Sequence, residues 1–166
     1  MVDLYSDVHI KFPLVLESEL YARTTDQPIY YYLFRYNGLR NMPKIISGFR
    51  EVTNGASHAD ELFYLFKPHA FPLLHSAEMT MINRMVTMWT NFAKYTDPTP
   101  HPSRLMPIRW RPSRRQNPTA LIIDAQVSTA PLWEEASVRL WNDTYNKYRR
   151  RDYGEKQFQH YDVVTA

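Results

Sequence analysis

The chain has 166 residues, 44% of them hydrophobic and 22% charged, which excludes a disordered or fibrous segment and suits one domain or part of one. It has no cysteine, so disulfides and cysteine-based nucleophiles or metal sites are excluded within it, and no apolar run of about 18 residues that would span a bilayer. Much of the basic charge lies in two clusters, Arg109, Arg111, Arg114, Arg115 and Lys147, Arg149, Arg150, Arg151. These read as a solvated face and a basic helix end, so no nucleic-acid partner is expected.

In chain order, residues 1–20 carry acids where a secretory signal would have a basic start and an apolar core, and the compartment stays open between secreted and cytoplasmic. Residues 12–22 (FPLVLESELYA) predict a short helix with Pro13 near its start, where proline is tolerated. Residues 29–36 (IYYYLFRY) are aromatic and β-branched with almost no polar alternation, the pattern of a strand buried on both faces. Residues 39–54 read as irregular. Residues 78–95 form the clearest helix, with Met81, Met85, Met88, Trp89 and Phe92 in one apolar stripe that predicts core packing. The stretch 97–118 holds Pro98, Pro100, Pro102, Pro107, Pro112 and Pro118 and reads as an extended loop. Residues 120–123 are a second strand candidate. Pro131 is expected to start a last helix to about Tyr148, with Leu132, Trp133, Ala136, Leu140, Trp141 and Tyr145 on its apolar side. Residues 149–166 read as a polar, frayed tail. Alternating helices and strands indicate an α/β architecture. Two apolar strands cannot make a stable sheet alone, so the segment is expected to be incomplete as a fold.

No G-x-S-x-G, G-x-G-x-x-G, Walker-type or H-E-x-x-H motif occurs. Of six histidines, His58 stands out. It follows Gly55-Ala56-Ser57, a small-residue stretch that permits a tight, exposed loop, and precedes Asp60, Glu61 and an apolar segment. A general base needs that combination of fixed geometry and access. A lone histidine is nonetheless more often a packing residue. His58 and Glu61, three apart, are too few for a metal site, and no metal or cofactor is expected.

The segment GASHADELFYLF (55–66) resembles the histidine motif of the type-B carboxylesterases of insects, a group with cholinesterases and juvenile hormone esterases among its wider members. In the same order, LYSDVHIKFP (4–13) resembles that family's aspartate-bearing loop and the start of a helix. PIYYYLFRYNG (28–38) resembles its core strand before the histidine loop, and MWTNFAKYTDPTP (88–100) a helix end and turn, with Trp110 and Pro112 in the W-x-P that follows. Trp141-Asn142 resembles the closing helix. Lys94-Tyr95-Thr96-Asp97 departs from a commoner glycine-containing turn.

The resemblance implies an α/β-hydrolase fold, a mostly parallel sheet flanked by helices, with residues 1–148 as its C-terminal part. It implies carboxylic ester substrates and a Ser-acid-His triad in which His58 is the histidine. The serine, acid and oxyanion hole would lie upstream, so the chain is expected to be inactive alone and to need the N-terminal part of the fold. Ser57, adjacent to His58, does not face the same attacking position. Asp7, Glu51, Asp60 and Glu61 are the acids at hand within the chain, but a triad needs a correctly placed third group. By its match, Asp7 would be a buried hydrogen-bonding residue. Asn142-Asp143-Thr144 is an N-glycosylation sequon, with Asn142 as acceptor. Two other readings remain: a fragment of a non-catalytic, cholinesterase-like adhesion protein, and a stand-alone binding protein.

Overall fold

The computed structural model describes residues 2–48, 54–66, 76–101, 103–114, 118–132 and 136–149. Glu51 and residues 150–166 of the tail expected over 149–166 lie outside the described residues, as do Arg115, Arg150 and Arg151 of the basic clusters and Trp133 of the expected last helix. The chain divides into two units. One comprises Tyr21–Leu132; the other is drawn from Met1–Leu20 and Trp133–Ala166, of which residues 2–20 and 136–149 are described.

The Tyr21–Leu132 unit is built on a three-stranded sheet: β1 (Tyr31–Phe34), β2 (Thr119–Ile123) and β3 (Ser128–Pro131), in the order β1-β2-β3. β1 and β2 are parallel, with Tyr31 opposite Ala120 and Phe34 opposite Ile123. β2 and β3 are antiparallel, with Thr119 opposite Pro131. The two expected strands therefore pair directly with each other. The third was missed because Ser-Thr-Ala-Pro has no apolar alternation, and its proline reads as a stop. Proline at the end of an edge strand is compatible with pairing. Pro131 thus closes β3 rather than starting the last helix.

β1 also differs from a strand buried on both faces. Tyr31 and Phe34 are buried but Leu33 is 42% exposed. The ladder runs two residues past the strand, because the backbone N–H groups of Arg35 and Tyr36 both donate to the Ile123 carbonyl, at 2.8 and 3.2 Å.

A long helix, residues Ser76–Tyr95, supplies the core. Met81, Met85 and Met88 of its stripe are buried to 2%, 0% and 0% exposure, packed with Phe34, Tyr64, Trp110, Leu121 and Ile123. Full burial of such a side chain stabilises by roughly 1.5–3 kcal/mol. The stripe ends before Phe92, which is 47% exposed. Trp89 packs edge-on to Tyr32, ring centroids 5.0 Å apart. Arg84, on the same helix, is buried and satisfies loop carbonyls: its Nε donates to Leu105 O at 2.9 Å and its Nη1 to Asp124 O at 3.0 Å. Burial lowers its pKa from the usual arginine value. The proline-rich stretch is irregular as expected, with one bridge residue at Arg114. Within it Trp110 is anchored, its backbone N–H donating to Thr99 Oγ1 at 2.9 Å.

Among the described residues the unit also has two short helices. One spans Met42–Ile46, where irregular chain was expected, and has Pro43 in its first turn. The other, Leu62–Leu65, follows His58.

In the second unit, residues 4–13 are helical rather than a loop. An α-helical turn at Val2–Ser6 continues through a π-helical turn at Asp7–Lys11 into the helix Phe12–Thr24, of which residues 12–20 belong to this unit. The wider π turn brings Asp7, which is buried, and Lys11 into an ion pair of 2.9 Å. The final helix spans Ala136–Tyr148. Its buried residue is Val138, whereas Leu140 and Tyr145 of the expected apolar side are 61% and 43% exposed. Tyr145 contacts Phe12 edge-on, with centroids 5.7 Å apart.

Candidate active site

His58 occupies the corner of a tight turn at the carboxyl end of β1. The turn Ser57-His58-Ala59-Asp60 is closed twice. The Asp60 N–H donates to Ser57 O at 3.2 Å, and the Ser57 N–H donates to Asp60 Oδ2 at 2.6 Å. Ala59 has φ of +69°, the left-handed region that usually falls to glycine. Four residues therefore reverse the chain, and the two central side chains are left free of the closing bonds. His58 is exposed, and its imidazole makes no hydrogen bond to another described residue. The helix Leu62–Leu65 continues from the turn, its first bonds running from Leu62 N–H to Ala59 O and from Phe63 N–H to Asp60 O.

Beneath the turn lies a buried polar layer. Asp60 is fully buried, and its Oδ1 accepts the backbone N–H of Lys44 at 3.2 Å. The Lys44 side chain is 1% exposed, and its ammonium donates to Gly55 O at 2.7 Å and Asn37 Oδ1 at 2.9 Å. Gly55, with φ of +88°, sits 3.7 Å (from a Cβ placed on it) from the Arg35 carbonyl just past β1. The loop is therefore tied to the strand end at Gly55 and to the helix Met42–Ile46 at Asp60. Substrates of open α/β sheets bind outside the carboxyl ends of the strands, the end at which this loop sits.

A second polar group surrounds Gly38. Asn41 Nδ2 donates to Tyr36 O at 2.9 Å, while its Oδ1 accepts from Gly38 N–H at 3.2 Å and from the Tyr64 hydroxyl at 2.7 Å. Glu78 Oε1 accepts from Leu39 N–H at 3.0 Å and from the Tyr36 hydroxyl at 3.4 Å. Burial first, and then the Glu78 charge, push the hydroxyls of Tyr36 and Tyr64 up from the usual tyrosine value. Tyr32 is pushed up to about 12 by burial and then by Glu61, the residue after Asp60. Arg40 Nε donates to Phe63 O at 2.7 Å, fastening the short helix after the turn.

Of the acids at hand in the chain, Asp60 is committed to two backbone N–H groups and Asp7 to Lys11 in the other unit. Glu61 is half-buried at the start of the helix Leu62–Leu65. Among the described residues no group of three or more histidine, aspartate or glutamate side chains is gathered as a metal site would require. No described helix is long and apolar enough to cross a membrane. Asn142 lies on the Ala136–Tyr148 helix, half-buried, its Oδ1 accepting from Asn146 Nδ2 at 3.3 Å. Arg109, paired with Asp97 at 3.3 Å, is mostly exposed, and Arg111, Arg114, Lys147 and Arg149 are exposed.

A family model described as the carboxylesterase family matches residues 1–141. The chain belongs to that family. Among curated relatives, it is 34% identical over 105 residues to juvenile hormone esterase of Tribolium castaneum, covering 60% of this chain and 18% of that protein. It is 36% identical over 96 residues to bile salt-activated lipase of Rattus norvegicus, covering 55% of this chain and 16% of the lipase. Over a longer stretch, 154 residues, it is 30% identical to bile salt-activated lipase of Bos taurus, covering 87% of this chain and 24% of that protein. The chain thus spans about a quarter or less of the length of these relatives. The crystal structure of juvenile hormone esterase from Manduca sexta, with OTFP covalently attached, matches with a TM-score of 0.69 over 88% of this chain and 27% of that one, at 22% identity. This likeness gives the carboxylesterase-family chain its fold class, part of an α/β-hydrolase.

His58 and its small-residue approach stand out in the sequence, whereas Lys44 and Asn41 do not, because their segment has the look of irregular chain. The available signal was Pro43, a residue favoured in the first turn of a helix.

Proposed function

We propose that this chain contributes the catalytic histidine, His58, to a serine esterase acting on carboxylic esters, with the serine and the acid supplied from outside its 166 residues. The reading rests on family membership and on one observation: an exposed imidazole at the corner of a doubly closed turn at the sheet's carboxyl end. The ester class is the one that the names of its relatives carry. In such a reaction His58 takes the serine hydroxyl proton as the oxygen attacks the ester carbonyl, then returns it to the departing alcohol. Water deacylates the enzyme by the same sequence. An acid on the far ring nitrogen would hold the imidazole's orientation.

The test pairs two measurements. Intact mass of the chain after an excess of fluorophosphonate is expected to show no adduct; an adduct lost in His58→Ala would reveal an activated serine inside the chain and overturn the division of roles. A chimera is then made in which this chain replaces the matching segment of Tribolium juvenile hormone esterase. There His58→Ala is expected to lower kcat by about 10⁶-fold. Unchanged turnover would remove His58 from the mechanism.

A further inference from the structure

The His58 turn is an unusual object to find without glycine. Its third position, Ala59, holds φ of +69° with a side chain attached, a conformation that the local backbone does not favour. Something must hold it. The surrounding hydrogen bonds account for this. Asp60 reaches back three residues to the Ser57 N–H at 2.6 Å, and with its other oxygen to the Lys44 N–H at 3.2 Å. Both are charge-assisted bonds from a carboxylate with no solvent exposure. The Lys44 ammonium, 1% exposed, grips the far end of the loop at Gly55 O and joins it to Asn37 beyond β1. One short helix, Met42–Ile46, thus fixes both ends of the segment 55–60: through its backbone at Asp60 and through its side chain at Gly55.

From this geometry we infer that Asp60 and Lys44 are positioning residues for His58, acting on the reaction only through the placement of the imidazole. The inference rests on the reading of His58 as the catalytic histidine. Asp60 is not the acid partner of the imidazole. Both of its oxygens are engaged by backbone N–H groups, and it shares no hydrogen bond with His58. Its work is to set the turn. A general base displaced by about 1 Å loses on the order of 100-fold in rate while substrate binding is little affected, because the reacting atoms leave their near-attack arrangement.

Two readouts separate this role from simple stability. In the chain itself, amide hydrogen exchange is expected to show Ser57 protected, and Asp60→Ala to release that amide while leaving Leu121 and Ile123 in β2 protected. If Ser57 exchanges equally fast in both, the clamp does not exist; if the β2 amides are released together with it, Asp60 is merely a structural residue. In the chimeric esterase, Asp60→Ala is expected to lower kcat about 100-fold with KM changed by less than about threefold. Lys44→Met should act in the same direction. Asp60→Asn, which keeps one acceptor oxygen, should lose less than Asp60→Ala. Added to His58→Ala, Asp60→Ala should cost nothing further, since residues that act as one unit are non-additive. Losses that multiply would overturn the inference while leaving His58 in place. If His58→Ala alone leaves turnover intact, the catalytic reading fails and with it the positioning role, whatever the exchange data say of the clamp.

Discussion

The Tyr64 hydroxyl donates to Asn41 Oδ1 at 2.7 Å, and this bond joins the helix after the His58 turn to the loop that follows β1. Asn41 is 1% exposed and Tyr64 is equally buried. The two residues differ in what their loss leaves behind. Tyr64→Phe removes one donor, and Asn41 Oδ1 keeps the Gly38 N–H, so the expected cost is about 1 kcal/mol. Asn41→Ala removes the partner of both the Gly38 N–H and the Tyr36 carbonyl, at about 1–3 kcal/mol for each group left unsatisfied, while the Tyr64 hydroxyl keeps Glu78 beside it. Urea denaturation of the two variants should therefore rank Asn41→Ala well below Tyr64→Phe. Equal midpoints would show that Asn41 is not the centre of the network.

Gly38 is required by space rather than by backbone conformation. A Cβ there would lie against the Tyr64 hydroxyl, 2.5 Å from Tyr36 Cε1 and 2.7 Å from Glu78 Oε1. These three atoms belong to the bonded group around Asn41 and Glu78, so none withdraws without breaking a hydrogen bond. Gly38→Ala is expected to destabilise by about 3 kcal/mol, at the upper end for overpacking. By contrast Gly48→Ala meets open space, and its cost comes from φ of +75°, about 1–2 kcal/mol less about 0.4–1 kcal/mol returned by a stiffer unfolded chain. Thermal melts of the two variants check the order.

The sequence carried the long helix and both parallel strands in its spacing, because the Met81, Met85 and Met88 stripe and the runs at 29–36 and 120–123 are local patterns. The exposed turn at His58 was legible too, through the small residues before it. The exposed face of the last helix was not legible. Leu140 and Tyr145 are apolar at helical spacing, yet the buried position is Val138. A stripe states that a face is apolar, not what covers it. Lys44 was hidden for the opposite reason. A lysine reads as surface, and only the carbonyl of Gly55 and the side chain of Asn37, brought together by the fold, make its burial tolerable. β3 was legible only from its partner, since edge strands need little apolar character.

The Ala59 backbone gives a graded prediction. Glycine at this position relieves a left-handed cost of about 1–2 kcal/mol and gives back about 0.4–1 kcal/mol through a freer unfolded chain. Ala59→Gly should therefore be neutral or more stable than the parent by up to about 1.6 kcal/mol. Ala59→Val places a β-branched residue at positive φ and should lose a further 1–3 kcal/mol, roughly. The order glycine, alanine, valine in melting temperature is the outcome to measure, and a valine variant as stable as the parent would mean that the turn relaxes to negative φ.

Tyr32 is one of several tyrosines whose raised pKa makes the unit lose stability in alkali. Burial first, and then the Glu61 carboxylate, raise its pKa from the ordinary 10.0 to about 12. The folded chain thus holds the phenolic proton more tightly than the unfolded one, and stability depends on that difference. The contribution is complete below pH 10 and is lost as pH rises through about 12. Tyr32→Phe has no proton to lose, so its stability should fall less steeply than the parent's across this window. Glu61→Gln removes the smaller cause and should move the Tyr32 titration down while leaving it above the ordinary value, because burial remains. The difference in tyrosinate absorbance between parent and Tyr32→Phe isolates this one hydroxyl from the other raised tyrosines. A difference titration centred at the ordinary tyrosine value would show that Tyr32 is solvated, and that neither burial nor Glu61 acts on it.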